Sequence, residues 1–121
     1  MLNGLVLPLV PFCAWAVSAQ DAVKVNPEHN KAEIDNDPVR VVRTTLPAGY
    51  EVPLHQHLLG VTITKKDRTW ESIYPGEPAL PAQLVKAGSL GGFSDGGPAH
   101  RTKNAGASGG EAVRVELKTK L

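Results

Sequence analysis

The run Val113-Arg114-Val115-Glu116-Leu117-Lys118 alternates apolar and charged side chains without a break. Successive side chains of an extended strand point to opposite faces, so this run places two valines and a leucine on one face and three charges on the other. A helix would scatter the same residues around its circumference. The segment is expected as a half-buried strand with Val113 and Val115 inward. Upstream, Val39-Arg40-Val41-Val42-Arg43-Thr44-Thr45-Leu46 is rich in β-branched residues and stops at the turn signal Pro47-Ala48-Gly49. Residues 58–64 form another expected strand, and residues 69–74 are expected to pair with it across Lys65-Lys66-Asp67-Arg68. Gln83-Leu84-Val85 is a short strand between the loop at Pro75-Gly76-Glu77-Pro78 and the turn at Ala87-Gly88. Beyond the first nineteen residues, no window of ten has helical periodicity. The 12 glycines and 10 prolines are spread as many short strands and turns require. The expected fold class is all-β and antiparallel, closed as a barrel or double sheet because open edges invite pairing with other chains.

The first nineteen residues are of a different kind. They carry no charged side chain, are apolar from Leu5 to Val17, and end in the small residues of Val17-Ser18-Ala19. This is the pattern of a secretory signal cleaved before Gln20, although the segment has no Lys or Arg and contains Pro8 and Pro11. An uncleaved anchor and an N-terminal strand are the other readings of such a segment. The expected organisation is a signal over residues 1–19 and a single domain over residues 20–121, placed in the periplasm or secreted. The only cysteine, Cys13, lies inside the signal, so the mature domain would have neither disulfides nor thiol chemistry. Thirteen Lys and Arg against 12 Asp and Glu give a net charge of +1 with no basic stripe. That excludes a nucleic-acid footprint, and no membrane contact is expected once the signal is gone. A domain of this size can bury one core by itself. Nothing forces an oligomer, and a homodimer is compatible with the sequence.

The chemistry lies in the histidines, at positions 29, 55, 57 and 100. His55 and His57 stand two apart, so in a strand both rings share a face. Continuing that parity gives Leu59, Val61 and Ile63, which predicts that the histidines share an apolar, inward face. Two imidazoles there are costly unless each nitrogen finds a partner. A metal ion would supply one to both. Two core histidines bonded to the backbone are the competing explanation of an isolated H-x-H.

The surrounding residues weigh on this choice. Gly49, five residues, His55, one residue and His57 resemble the first motif of the cupins, with Pro53 two before the first histidine. Gly97-Pro98-Ala99-His100-Arg101-Thr102-Lys103-Asn104 resembles the end of the second cupin motif. The resemblance covers roughly residues 31–118 and implies a jelly-roll barrel with a divalent metal held by His55, His57 and His100. It departs from the family where a glutamate ligand is usual, since Val61 and Thr62 stand there. The second motif also begins irregularly, at Gly88 and Asp95. Without that carboxylate, preference moves from Mn toward imidazole-favouring Fe, Zn, Ni or Cu. Glu71 is the candidate substitute, although a strand glutamate more often faces solvent. Glu51 is a candidate partner or base near His55, with a salt bridge or simple exposure as its plainer role. Trp70, Phe93 and Tyr50 are candidates to line a pocket or to serve the core. His29 is expected to be exposed, Asn104 to orient its loop, and metal binding to weaken as pH falls through about 6.5, where free imidazole takes a proton. The resemblance implies a small-molecule ligand at the open metal positions, an oxygenase-type activity being one such function. The alternative is a non-catalytic binding or structural cupin in which the metal serves stability only. No catalytic residue is assigned, and fold alone does not decide whether the protein is an enzyme.

Overall fold

The computed structural model describes residues 20–91 and 97–118. The expected signal and Phe93 lie outside them. Extended segments dominate: β1 (Gln20–Asp21), β2 (Asn30–Asp35), β3 (Val39–Leu46), β4 (Glu51–Gln56), β5 (Gly60–Lys66), β6 (Arg68–Ile73), β7 (Gln83–Val85), β8 (His100–Asn104) and β9 (Gly110–Leu117). A single helical turn, α1 (Ala22–Val25), is capped by Asp21, whose carboxylate accepts from the Val23 amide at 3.0 Å.

The strands form two facing sheets, one in the order β1-β4-β8-β6-β7 and the other β2-β3-β9-β5. Among the described strands every pairing is antiparallel except β1 with β4. The β-branched run of β3 pairs with β9 in one unbroken register from Val39↔Leu117 to Leu46↔Gly110. After Leu46 the chain turns at Gly49, whose φ of +76° suits glycine. The Gly49 amide donates to the Asn104 carbonyl at 2.8 Å, tying this turn to the opposite sheet. This is the all-β, jelly-roll architecture expected from the sequence.

Two expectations are overturned. Residues 58–64 and 69–74 do not form a hairpin. β5 pairs with β9 in one sheet, whereas β6 pairs with β7 and β8 in the other. The short link at Asp67 therefore crosses between sheets, and each strand meets its partners through contacts distant in sequence.

The second correction concerns which faces point inward. His55 is inward and 2% exposed. Val61, Ile63, Val113 and Val115 are not: they share the outer face of their sheet, paired Val61↔Val115 and Ile63↔Val113, and are half-buried. Inward stand Thr62, Thr64, Ala112, Arg114 and Glu116. The parity drawn from His55 fails because β4 ends at Gln56 and alternation restarts at Gly60. In β9 a period of two defines two faces without saying which is inside.

The polar choice is viable because its charges are matched. Arg40 donates through Nε to Glu116 at 2.7 Å and through Nη1 and Nη2 to both oxygens of Asp21. Glu116, with a side chain 1% exposed, thus has its counter-ion inside the barrel. The apolar core is correspondingly small, with Val42, Leu46, Val52, Ala112 and Ala22 buried.

Candidate metal centre

A bulge in β4 sets the first histidine. Val52 opposes Thr102 and His55 opposes His100, so three residues on β4 span two on β8, and Val52 and His55 both face inward despite their odd spacing. His100, at the first position of β8, lies directly across from His55, and His57 follows just beyond β4. The ring centroids are 4.8 Å apart for His55 and His57, 4.7 Å for His55 and His100, and 5.6 Å for His57 and His100.

Two of the rings have one nitrogen turned to a backbone acceptor. His55 Nδ1 lies 2.7 Å from the Pro53 carbonyl and His100 Nδ1 lies 2.9 Å from the Pro98 carbonyl. His57 Nδ1 faces Glu116 Oε1 at 3.8 Å. An Nδ1–H that donates outward leaves the Nε2 lone pair free, which is the tautomer a ligating imidazole needs. His55 Nε2 and His57 Nε2 are 3.1 Å apart, the separation two ligands take around one ion with bonds of about 2.0–2.1 Å. All three donor atoms lie within 4.8 Å of one another. Burial holds His55 neutral, with its pKa lowered to about 4, and burial also lowers His100. The donor set therefore fits a divalent transition metal, and acid must reach further below pH 6.5 than expected to protonate His55.

The carboxylate absent from the first cupin motif is not replaced by Glu71. That residue alternates with Trp70 and Ser72, which line interior cavities, and so faces away, paired across the strand with Lys103. Thr62 stands inward near the expected glutamate position and accepts from Arg114 Nη1 at 3.1 Å. The buried carboxylate near the site comes instead from Glu116, across the sheet from Gly60. Gly60 is required there, because a Cβ would lie 2.2 Å from the Val115 carbonyl oxygen.

The other candidates are placed as follows. Glu51 ion-pairs with Arg101 at 2.7 Å on the surface, its plainer role. Trp70 lines the cavity beside the histidines. Tyr50 does not: its hydroxyl donates to Asn26 at 2.9 Å and its ring lies 4.4 Å from that of His29. His29 is therefore half-buried rather than exposed. Asn104 is 0% exposed and orients its loop as expected, donating to the Leu46 and Ser108 carbonyls at 3.0 Å and accepting from Gly106 at 3.1 Å. Sequence reading missed Glu116, Arg114, Arg68 and Tyr74, whose ring lies 5.6 Å from His100. One available signal was the repeat of Pro-x-His at Pro53-Leu54-His55 and Pro98-Ala99-His100, since both prolines supply the Nδ1 acceptor.

The histidines open onto a cavity of about 100 Å³ shared with Val52, Thr62, Arg68, Trp70 and Arg114. Among the described residues no fourth protein donor joins the three histidines.

No family model matches this sequence, and no curated protein does. Solved structures do. A cupin domain from Bordetella pertussis Tohama I superposes with a TM-score of 0.66 at 20% identity, covering 84% of this chain and 97% of its own. A cupin-like protein from Thermotoga maritima has a TM-score of 0.53 at 15% identity, covering 74% of this chain and 66% of its own. A cupin superfamily protein from Desulfitobacterium hafniense also reaches 0.53, at 8% identity, covering 73% of this chain and 74% of its own. With its two facing sheets and inward histidines at the motif positions, the chain has the fold of a small cupin.

Proposed function

We propose that this protein is an exported cupin whose His55, His57 and His100 bind a divalent transition metal and leave coordination positions open to a small organic ligand. One observation carries the reading. His55 and His100 each hold Nδ1 against a backbone carbonyl, which leaves Nε2 free to ligate, and His57 Nε2 lies 3.1 Å from that of His55 beside a cavity. With imidazole donors alone, the set favours Fe(II), Zn, Ni or Cu over Mn. The bound ion would supply a Lewis acid with free positions. The chain's residues would hold the ring tautomers and shape the cavity. A structural metal would call for a closed coordination sphere, and Glu116 does not provide one because its carboxylate is engaged by Arg40.

Export is supported by the charge-free segment that ends in the small residues of Val17-Ser18-Ala19. Asp21, just beyond it, is tied to Arg40 inside the barrel. A chain cut after Ala19 would keep the interior network. Intact-mass measurement on protein recovered from its host should give a chain beginning at Gln20, and a full-length mass would overturn the export reading.

The metal reading is tested by elemental analysis of the purified full-length protein after reconstitution. One equivalent of divalent metal is expected, and His55→Ala, His57→Ala or His100→Ala should each lower it sharply while His29→Ala does not. Absence of uptake by the folded wild type would refute the reading.

A further inference from the structure

We propose that the barrel interior recognises its ligand through a carboxylate group, which pairs with Arg68 while the rest of the molecule faces the three histidines. The inference rests on the reading of this interior as a ligand site and names the chemistry of what enters it.

Arg68 opens β6 and projects into the barrel, where it lines the cavity shared with the histidines. Its path crosses Gly110, where a Cβ would come within 2.9 Å of Arg68 Cβ. The guanidinium lies over the Trp70 ring, 4.4 Å from its centroid. Its Nε is buried without a hydrogen-bond partner, and among the described residues Arg68 has no ion pair. Arg114 Nε is also buried without a hydrogen-bond partner, but the other arginines named here each approach a carboxylate. Arg40 pairs with Asp21 and Glu116, Arg43 with Glu33 and Glu111, Arg101 with Glu51, and Arg114 approaches Glu116. Arg68 is thus a half-buried, permanently charged fork, its Nε buried, that the described residues do not neutralise.

The charge balance of the interior points the same way. Among the described residues the interior holds Arg40, Arg68 and Arg114 against the two carboxylates of Asp21 and Glu116, and a divalent metal on the histidines would add further positive charge. An anion is the complement. Carboxylate is favoured over an inorganic oxyanion for two reasons. Arg114 already gives Nη1 to Thr62 and Nη2 to the Leu58 carbonyl, so one fork is free rather than a cluster. A planar guanidinium matches one carboxylate bidentately, and Val52, Ala112 and Trp70 offer apolar surface to a carbon skeleton. A cavity of about 100 Å³ admits an acid of only a few heavy atoms.

The test uses ¹⁵N-labelled full-length protein, chelator-treated and then zinc-loaded, titrated with propionate, propionamide and inorganic phosphate. Propionate is expected to shift the Arg68 Nε–H and Trp70 indole N–H resonances saturably in the millimolar range, and propionamide is not. Arg68→Gln should weaken propionate binding roughly 10- to 100-fold, the loss of a charge-assisted pair, without changing zinc uptake. Arg68→Lys should retain part of the affinity. The proposal is overturned if propionate gives no saturable shift, if propionamide matches it, if phosphate binds and propionate does not, or if Arg68→Gln leaves affinity unchanged. Should Arg68→Gln fail to fold, the propionate–propionamide contrast at the wild-type Arg68 resonance decides alone. Propionate binding to a protein that takes up no zinc would sink the metal reading and leave this one standing.

Discussion

Removing Arg40 tests whether matched charges are what make a polar barrel interior stable. Arg40 holds Glu116 through a 2.6 Å contact and engages both oxygens of Asp21, and the Glu116 side chain is only 1% exposed. In Arg40→Met, Glu116 is left as a buried carboxylate with only the longer approaches of Arg114 at 3.6 Å and His57 at 3.8 Å beside it. Breaking a buried pair from one side costs about 3–5 kcal/mol. Asp21 is more exposed, at 22%, and can be rehydrated, so the loss is concentrated on Glu116. Glu116→Gln removes the charge but keeps the shape, and should cost about 2 kcal/mol, the loss of charge-assisted bonds. In the double variant Arg40→Met with Glu116→Gln, the unpaired charge is gone. Its cost should fall short of the sum of the single changes by about 2 kcal/mol or more. Urea unfolding of chelator-treated protein measures all four corners of the cycle, with a constant m-value confirming that only stability has changed. An Arg40→Met cost below about 1 kcal/mol, or an additive cycle, would refute the argument that this network sustains the interior.

Acidification should destabilise the metal-free protein between pH 6.5 and about 4. Folded His55 resists its proton until about 4, whereas the unfolded chain takes one near 6.5, and the difference corresponds to about 3 kcal/mol. Stability is full above the upper bound and falls as pH drops through the window, so flat urea midpoints across it would contradict the burial of His55. Asn104→Ala should cost about 1–3 kcal/mol in thermal or urea unfolding, since it orphans the buried Leu46 carbonyl and removes the bonds to the Ser108 carbonyl and the Gly106 amide. Gly60→Ala drives a Cβ into the Val115 carbonyl and should cost about 3 kcal/mol or more, read by hydrogen exchange as lost protection along β5 and β9.

Local physics made much of this protein legible from its sequence. A β-branched run ended by Pro47-Ala48-Gly49 located β3, strict alternation located β9, and the absence of helical periodicity set the all-β class. The spacing of His55 and His57 put both rings on one face, and the resemblance to the cupin motifs added His100; the fold brings the three together. Which face of a strand becomes the interior is not a local property. In β9 the valines looked like the core, yet Arg114 and Glu116 are inside, because Arg40 of β3, Asp21 of β1 and Thr62 of β5 arrive there to match them. The same holds for the link after β5. Residues 65–68 read as a hairpin turn, but the partners that win β5 and β6 lie about thirty to fifty residues away in β8 and β9. Alternation and spacing are written residue by residue, whereas the pairing of buried charges and the choice of sheet depend on which distant strands meet, and only the tertiary structure decides that.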